Sequence, residues 1–251
     1  MAGHSKWSKV KHIKAVVDVR RGKLFSKLAK EISVAARLGG GDLSGNPRLK
    51  VAIGAARAQS MPSDNIDRAI KRGTGELDPG ATLEEMTYEG YAPGGVAVMI
   101  EVATDNKNRT AQDLRLIFSK NHGNLASSGS VGYLFKRKGQ ITIPRESVEE
   151  DRLLELALDA GADDVSADTE HHLVTTAHDR LYAVAEALRQ AGVAADSQKL
   201  TFIPDTTIHL ADASVAAQVL RLCDALEDND DVQHVHANFD VPDEVLVQVA
   251  G

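Results

Sequence analysis

Lys23, Lys27, Lys30 and Arg37 recur at steps of four, three and seven. On a helix turning 100° per residue they fall within about 80° of one another, along a stripe of about 21 Å. Leu24, Leu28, Ile32 and Ala35 gather near the opposite side, and Glu31 is the one acid near the stripe's edge. Exposed helices commonly alternate signs to gain i,i+4 pairing, so an almost unrelieved stripe favours a polyanion over a solvated face. The chemistry is phosphate neutralisation, which holds a nucleic-acid backbone without reading its sequence. Further cations precede it (Lys6, Lys9, Lys11, Lys14, Arg20, Arg21, with His12) and follow it (Arg48, Lys50, Arg57). Trp7, the single tryptophan, can stack on a base or pin the tail to the helices.

A second patch is Thr104-Asp-Asn-Lys-Asn-Arg-Thr110. Lys107 and Arg109 stand there between a strand and a helix. The segment reads equally as an anion site at a helix N-terminus or as a loop capped by Thr110. No catalytic constellation is evident. There is no phosphate-binding Gly-x-x-x-x-Gly-Lys loop, no His-Glu-x-x-His and no Cys-x-x-Cys. Cys223, the one cysteine, lies among leucines on a helix and reads as core. It excludes an internal disulfide and fits a reducing compartment. His234 and His236 share a strand face without a close third ligand. Asp228-Asn-Asp-Asp231 lacks the glycine and distal glutamate of a calcium loop and reads as a solvated connection. No metal or cofactor is expected.

These side chains need a scaffold, and the pattern supplies one. Residues 1–80 read as three amphipathic helices. The first ends at Gly39-Gly-Gly41, the second opens on Asn46-Pro47, and the third opens on Ser63 and stops at Gly73. Residues 74–81 read as a linker, after which strands and helices alternate. Strands are expected at 131–136 and 140–143, and a capping box at 147–150 opens a helix. Residues 139–203 spell strand-helix-strand-strand-helix-strand, a ferredoxin-like order. The flanking pieces, 81–138 and 204–251, each hold a strand-helix-strand half. The expected fold class is α+β: an N-terminal three-helix bundle plus two ferredoxin-like α/β domains, one inserted into the other.

Charge follows the same division. The 251 residues carry a net −7. Residues 1–80 hold 16 Lys/Arg against 7 Asp/Glu, a net +9, and the remainder holds 13 against 29, a net −16. That asymmetry suggests a basic module that meets a polyanion, joined to acidic modules that do not. No run approaches the roughly 18 apolar residues of a membrane span. The N-terminus does not read as a secretory signal, and the cytoplasm is expected.

The motifs Met1-Ala-Gly-His-Ser-Lys-Trp7, Arg21-Gly-Lys23, Asn46-Pro-Arg-Leu49, Met61-Pro-Ser-Asp-Asn-Ile66 and Tyr88-Glu-Gly-Tyr-Ala-Pro-Gly-Gly95 resemble the YebC/PmpR family. Thr104–Thr110, Gly129-Ser-Val131, Ala160-Gly-Ala-Asp-Asp164 and Ala237-Asn-Phe-Asp240 match it too. The resemblance covers essentially the whole chain, and the family includes the mitochondrial translational activator of cytochrome oxidase. It implies three domains and a role as a DNA-binding transcriptional regulator or a ribosome-associated translation factor. The basic bundle would be the main nucleic-acid surface and the Lys107/Arg109 loop a secondary one. The expectation is a non-enzymatic gene-expression factor whose partner is DNA or ribosomal RNA, with a monomer favoured. Two alternatives stand beside it: an enzyme holding a phosphorylated substrate on the Asn106–Arg109 loop, and a protein-interaction module.

Overall fold

The structure, a computed structural model, describes residues 17–77, 83–168 and 170–250; at 17–21 and 250 it describes the backbone alone. The fold is α+β. The chain forms two compact units: residues 1–134 with 204–251, and residues 135–203. The helical segment and the discontinuous α/β segment therefore belong to one unit, and the inserted unit begins at 135 rather than 139.

The first unit opens with α1 (Val17–Gly39), α2 (Pro47–Ala58) and α3 (Ser63–Gly73). Their shared core holds Ile32, Ala35, Leu49, Ala52, Ile53, Ala56, Ile66 and Ala69. Burying each of the larger aliphatic side chains contributes about 1.5–3 kcal/mol. Asn46 caps α2: its Oδ1 accepts the Leu49 N–H at 3.0 Å, while its amide donates to Ala35 O at 2.8 Å and Gly40 O at 2.9 Å. One side chain thus starts α2 and ties it to the end of α1. Pro62, not Ser63, occupies the cap position of α3.

Next come β1 (Glu84–Tyr91), β2 (Ala97–Thr104), α4 (Lys107–Lys120) and β3 (Asn124–Ala126). After the inserted unit the chain returns through β8 (Ile208–His209), α7 (Ala213–Glu227), β9 (Val232–Ala237), β10 (Phe239–Asp240) and α8 (Asp243–Ala250). The sheet order is β3-β1-β2-β9, every pair antiparallel, with the hairpin strands central. Val98, Ile100 and Val102 point from β2 into a core with Leu114 and Phe118 of α4 and Val219, Leu222, Cys223 and Leu226 of α7.

The inserted unit runs β4 (Phe135–Pro144), α5 (Glu150–Asp159), β5 (Asp164–Ala167), β6 (His171–Ala177), α6 (Leu181–Gln190) and β7 (Ser197–Pro204). Its sheet order, β5-β6-β4-β7, and its element order are ferredoxin-like. Ile141, Ile143 and Val174 pack beneath Leu153, Leu181 and Val184. In place of the two strands expected at 131–136 and 140–143 there is one, 135–144, preceded by a 3-10 turn at Gly132–Leu134, because Gly139 stays in register opposite Thr176. The expected capping box does not form. Ser147 instead donates to Pro144 O at 2.7 Å, and α5 starts after Glu149.

Candidate nucleic-acid interface

Helix α1 is amphipathic as expected from Leu28 on, although Leu24 is exposed and Phe25 packs on the core instead, but its cationic side does not face open solvent. It lies against the α7–β9 connection, residues 227–231. Lys23 Nζ reaches Asp228 O at 3.3 Å and Asp228 Oδ1 at 3.4 Å. Lys27 Nζ donates to Glu227 O at 2.6 Å. Lys30 Nζ donates to Asp230 O and Asp231 Oδ1, each at 2.8 Å, and to Ala103 O at 3.3 Å. Arg37 donates to Leu83 O. The outward ridge expected from periodicity is therefore corrected. The apolar face of α1 packs on α2 and α3, and its charged face docks on carbonyls and carboxylates of the same unit. The lysines also suit that place electrostatically, because α7 has no basic residue in its last turn to meet the negative end of its dipole.

Asp231 is the centre of this contact. Its side chain is 8% exposed. Thr110 Oγ1 donates to its Oδ2 at 2.7 Å, and Arg109 Nη2 reaches Oδ2 at 3.0 Å. Burial pushes the carboxyl pKa up, but the hydrogen bonds from Lys30, Thr110 and Arg109 outweigh it and hold the group at about 2. In the connection expected to be solvated, Asp228 and Asp230 are exposed, but Asp231 is an internal acceptor for α1 and α4 at once.

The second expected patch is occupied in the same way. Asn106, not Thr110, caps α4, accepting the Arg109 N–H at 3.1 Å. Arg109 also meets Asp105 at 3.0 Å, and the two acids raise its pKa. Lys107 pairs with Glu84 at 2.7 Å. A carboxylate thus stands at the anion-favouring N-terminus of α4.

Arg48 is also internal. Its guanidinium forks between Glu31, at 2.9 and 3.2 Å, and Glu85, at 2.6 and 3.1 Å. Burial pushes its pKa down, but Glu85 and Glu31 more than reverse that.

Lys50 and Arg57 differ. Both are exposed on α2, and among the described residues neither pairs with an acceptor. Helix α2 carries no acid. Gly54 lies between them at the i+4 position, and a Cβ there would touch nothing within 4 Å. Ala55 and Ala58 are exposed beside it. The result is a flat cationic face onto which a phosphate backbone could settle closely. Lys6, Trp7, Lys9, Lys11, His12 and Lys14 lie outside the described residues, as do the side chains of Arg20 and Arg21.

Sequence reading missed Glu89, which is 7% exposed. Its carboxylate accepts the N–H groups of Gly129 at 2.8 Å, Val131 at 2.6 Å and Gly132 at 2.8 Å, and so shapes the 127–132 loop. An acid on the strand face opposite Met86 and Tyr88 was the available signal. His236 Nε2 lies 2.8 Å from Glu101 Oε2. Among the described residues no three metal-binding side chains cluster, and no helix is long and apolar enough to cross a membrane.

Comparison with known proteins agrees over nearly the full length. A family described as "TACO1/YebC protein N-terminal domain" matches residues 5–76, and one described as "TACO1/YebC second and third domain" matches residues 83–239. A relative in Rubrobacter xylanophilus is 54% identical over 251 residues, covering 100% of both chains, and one in Syntrophobacter fumaroxidans is 51% identical over 250 residues with the same coverage. Each is named "Probable transcriptional regulatory protein". The crystal structure of a conserved hypothetical protein from Aquifex aeolicus aligns with a TM-score of 0.85 and 51% identity, covering 93% of this chain and 96% of that one.

Proposed function

The chain belongs to the TACO1/YebC family, and from that premise we propose that it is a non-enzymatic regulator of gene expression that holds a phosphodiester backbone through its N-terminal helical region. The observation that carries this reading is the acid-free face of α2, where Lys50 and Arg57 stand exposed on either side of Gly54. Lysine meets phosphate as a point charge and arginine as a two-pronged donor. Both anchor a backbone without selecting sequence. The proposed interface joins this face to Lys6, Trp7, Lys9, Lys11, His12, Lys14, Arg20 and Arg21 of the preceding segment. Lys23, Lys27, Lys30, Arg37, Arg48, Lys107 and Arg109 are left out because they already have acceptors within the unit.

The partition of charge, +9 in residues 1–80 against −16 in the rest, supports docking by one end onto a nucleic acid or ribosomal particle rather than wrapping along it. Photo-crosslinking of the full chain to random-sequence RNA and to duplex DNA tests the reading. Adducts are expected on residues 1–21 and on α2. Adducts confined to residues 135–203 would overturn it. Co-sedimentation with ribosomes that is lost at high salt, or a discrete promoter footprint, identifies which polymer is the physiological one.

A further inference from the structure

Residues 227–231 present two main-chain carbonyls at the end of α7, a third at Asp230, and the Asp228 and Asp231 carboxylates. Together they form a short row of oxygen acceptors facing Lys23, Lys27 and Lys30. A phosphate backbone offers the same thing, a run of anionic oxygens along a helix's cationic stripe. We propose that this segment is a built-in counter-anion, holding the α1 stripe closed until a phosphodiester backbone exchanges for it. The inference rests on the nucleic-acid reading of the helical region and adds a second, gated part to its surface.

The contacts are graded in a way that permits exchange from one end. Lys23 and Asp228 meet at 3.3–3.4 Å with side chains 41% and 71% exposed, so solvent and salt screen them. Lys30 and Asp231 meet at 2.8 Å with side chains 23% and 8% exposed, and Arg109 and Thr110 hold the same carboxylate. Exchange can therefore begin at the exposed Lys23 end, with the buried Asp231 end the last to open. Exchange needs only the Lys23 and Lys27 acceptors to be replaced, which leaves the hub at Asp231 in place.

The test uses the full chain, titrated with a random-sequence duplex DNA and, separately, a random-sequence single-stranded RNA over a range of salt. The variants are Asp228→Asn, Asp231→Asn, and Asp228→Asn combined with Lys23→Gln and Lys27→Gln. Asp151→Asn on the inserted unit controls for the change in net charge. Asp228→Asn removes an exposed carboxylate and leaves the hub intact, so it stays informative if Asp231→Asn folds poorly. The expected result is a several-fold gain in affinity for Asp228→Asn. Its salt slope should steepen by about one to two, at about 0.9 for each further phosphate neutralised on the duplex and about 0.7 on the single strand. The gain should be absent in Asp151→Asn and abolished by the two lysine changes. The arm that shows the gain identifies the polymer. Wild-type affinity in Asp228→Asn, or a gain that survives loss of Lys23 and Lys27, overturns the gate while leaving the basic interface standing. If the wild type binds neither probe at any salt, the nucleic-acid reading itself fails and takes the gate with it.

Discussion

Lys30 of the first helix and Asp231 of the α7–β9 connection, 201 positions apart, form a 2.8 Å ion pair between the helical bundle and the sheet that follows it. The pair is mostly buried, and Arg109 and Thr110 donate to the same carboxylate. Removing the charge leaves two cations short of an acceptor, which costs more than losing one surface pair.

The Asp231 pKa falls from 3.8 to about 2 in the folded chain. A lowered pKa means that the stabilisation is complete above the unfolded value and is lost as pH falls through the folded one. A shift of this size corresponds to about 2 kcal/mol at neutral pH. Asp231→Asn should therefore lower stability by about that much in neutral denaturant titrations. The deficit should shrink as pH falls from about 4 towards 2. A constant deficit across that range would argue against the assigned charge interactions.

Glu89 follows the same sign. Burial pushes its pKa up, but N–H donors from Gly129, Val131 and Gly132 prevail and leave it below the ordinary carboxylate value. Its contribution is present above that ordinary value and fades as acid titrates the folded group. Glu89→Gln replaces one acceptor oxygen with a donor that faces N–H groups. The expected loss is about 1–3 kcal/mol. Hydrogen exchange should show Val131 N–H losing its protection.

Two helical glycines should respond oppositely to alanine. At Gly73 an added Cβ would collide with the Ser33 main-chain carbonyl, where α3 crosses α1 closely. Gly73→Ala should destabilise by about 1–3 kcal/mol. At Gly54 a Cβ meets nothing within 4 Å. Gly54→Ala should raise stability by about 0.5–1 kcal/mol, since alanine loses less chain entropy in a helix. Thermal melts of the two variants check both signs.

Local patterns made much of the fold legible. The steps between Leu28, Ile32 and Ala35 marked the buried side of α1, and Asn46-Pro47 marked the start of α2. The ferredoxin-like order of the inserted unit followed from alternating periods. Boundaries failed where local chemistry misled: residues 137–139 fell between two expected strands but continue one, and Ser147 looked like a cap but bonds backward to Pro144. At the candidate site, periodicity located the cations of α1 but not what faced them. Most of their acceptors lie about 200 residues away in sequence, and most are main-chain carbonyls, which no residue type reveals. The Asp228–Asp231 run was the one complementary signal, and its acidity alone could not name a partner.

Lys50 and Arg57 on the exposed face of α2 are the groups proposed to neutralise phosphates. The most direct measurement is the salt dependence of RNA and DNA affinity for the wild type and for Lys50→Glu with Arg57→Glu. The wild-type slope should be steep and become shallower in the variant by about two on duplex DNA, at about 0.9 for each phosphate no longer neutralised, and by somewhat less on single-stranded RNA, at about 0.7. Both side chains lie off the buried face of α2, so the melting temperature should not change. A flat wild-type response, or a variant that binds with the wild-type slope and affinity, would contradict it.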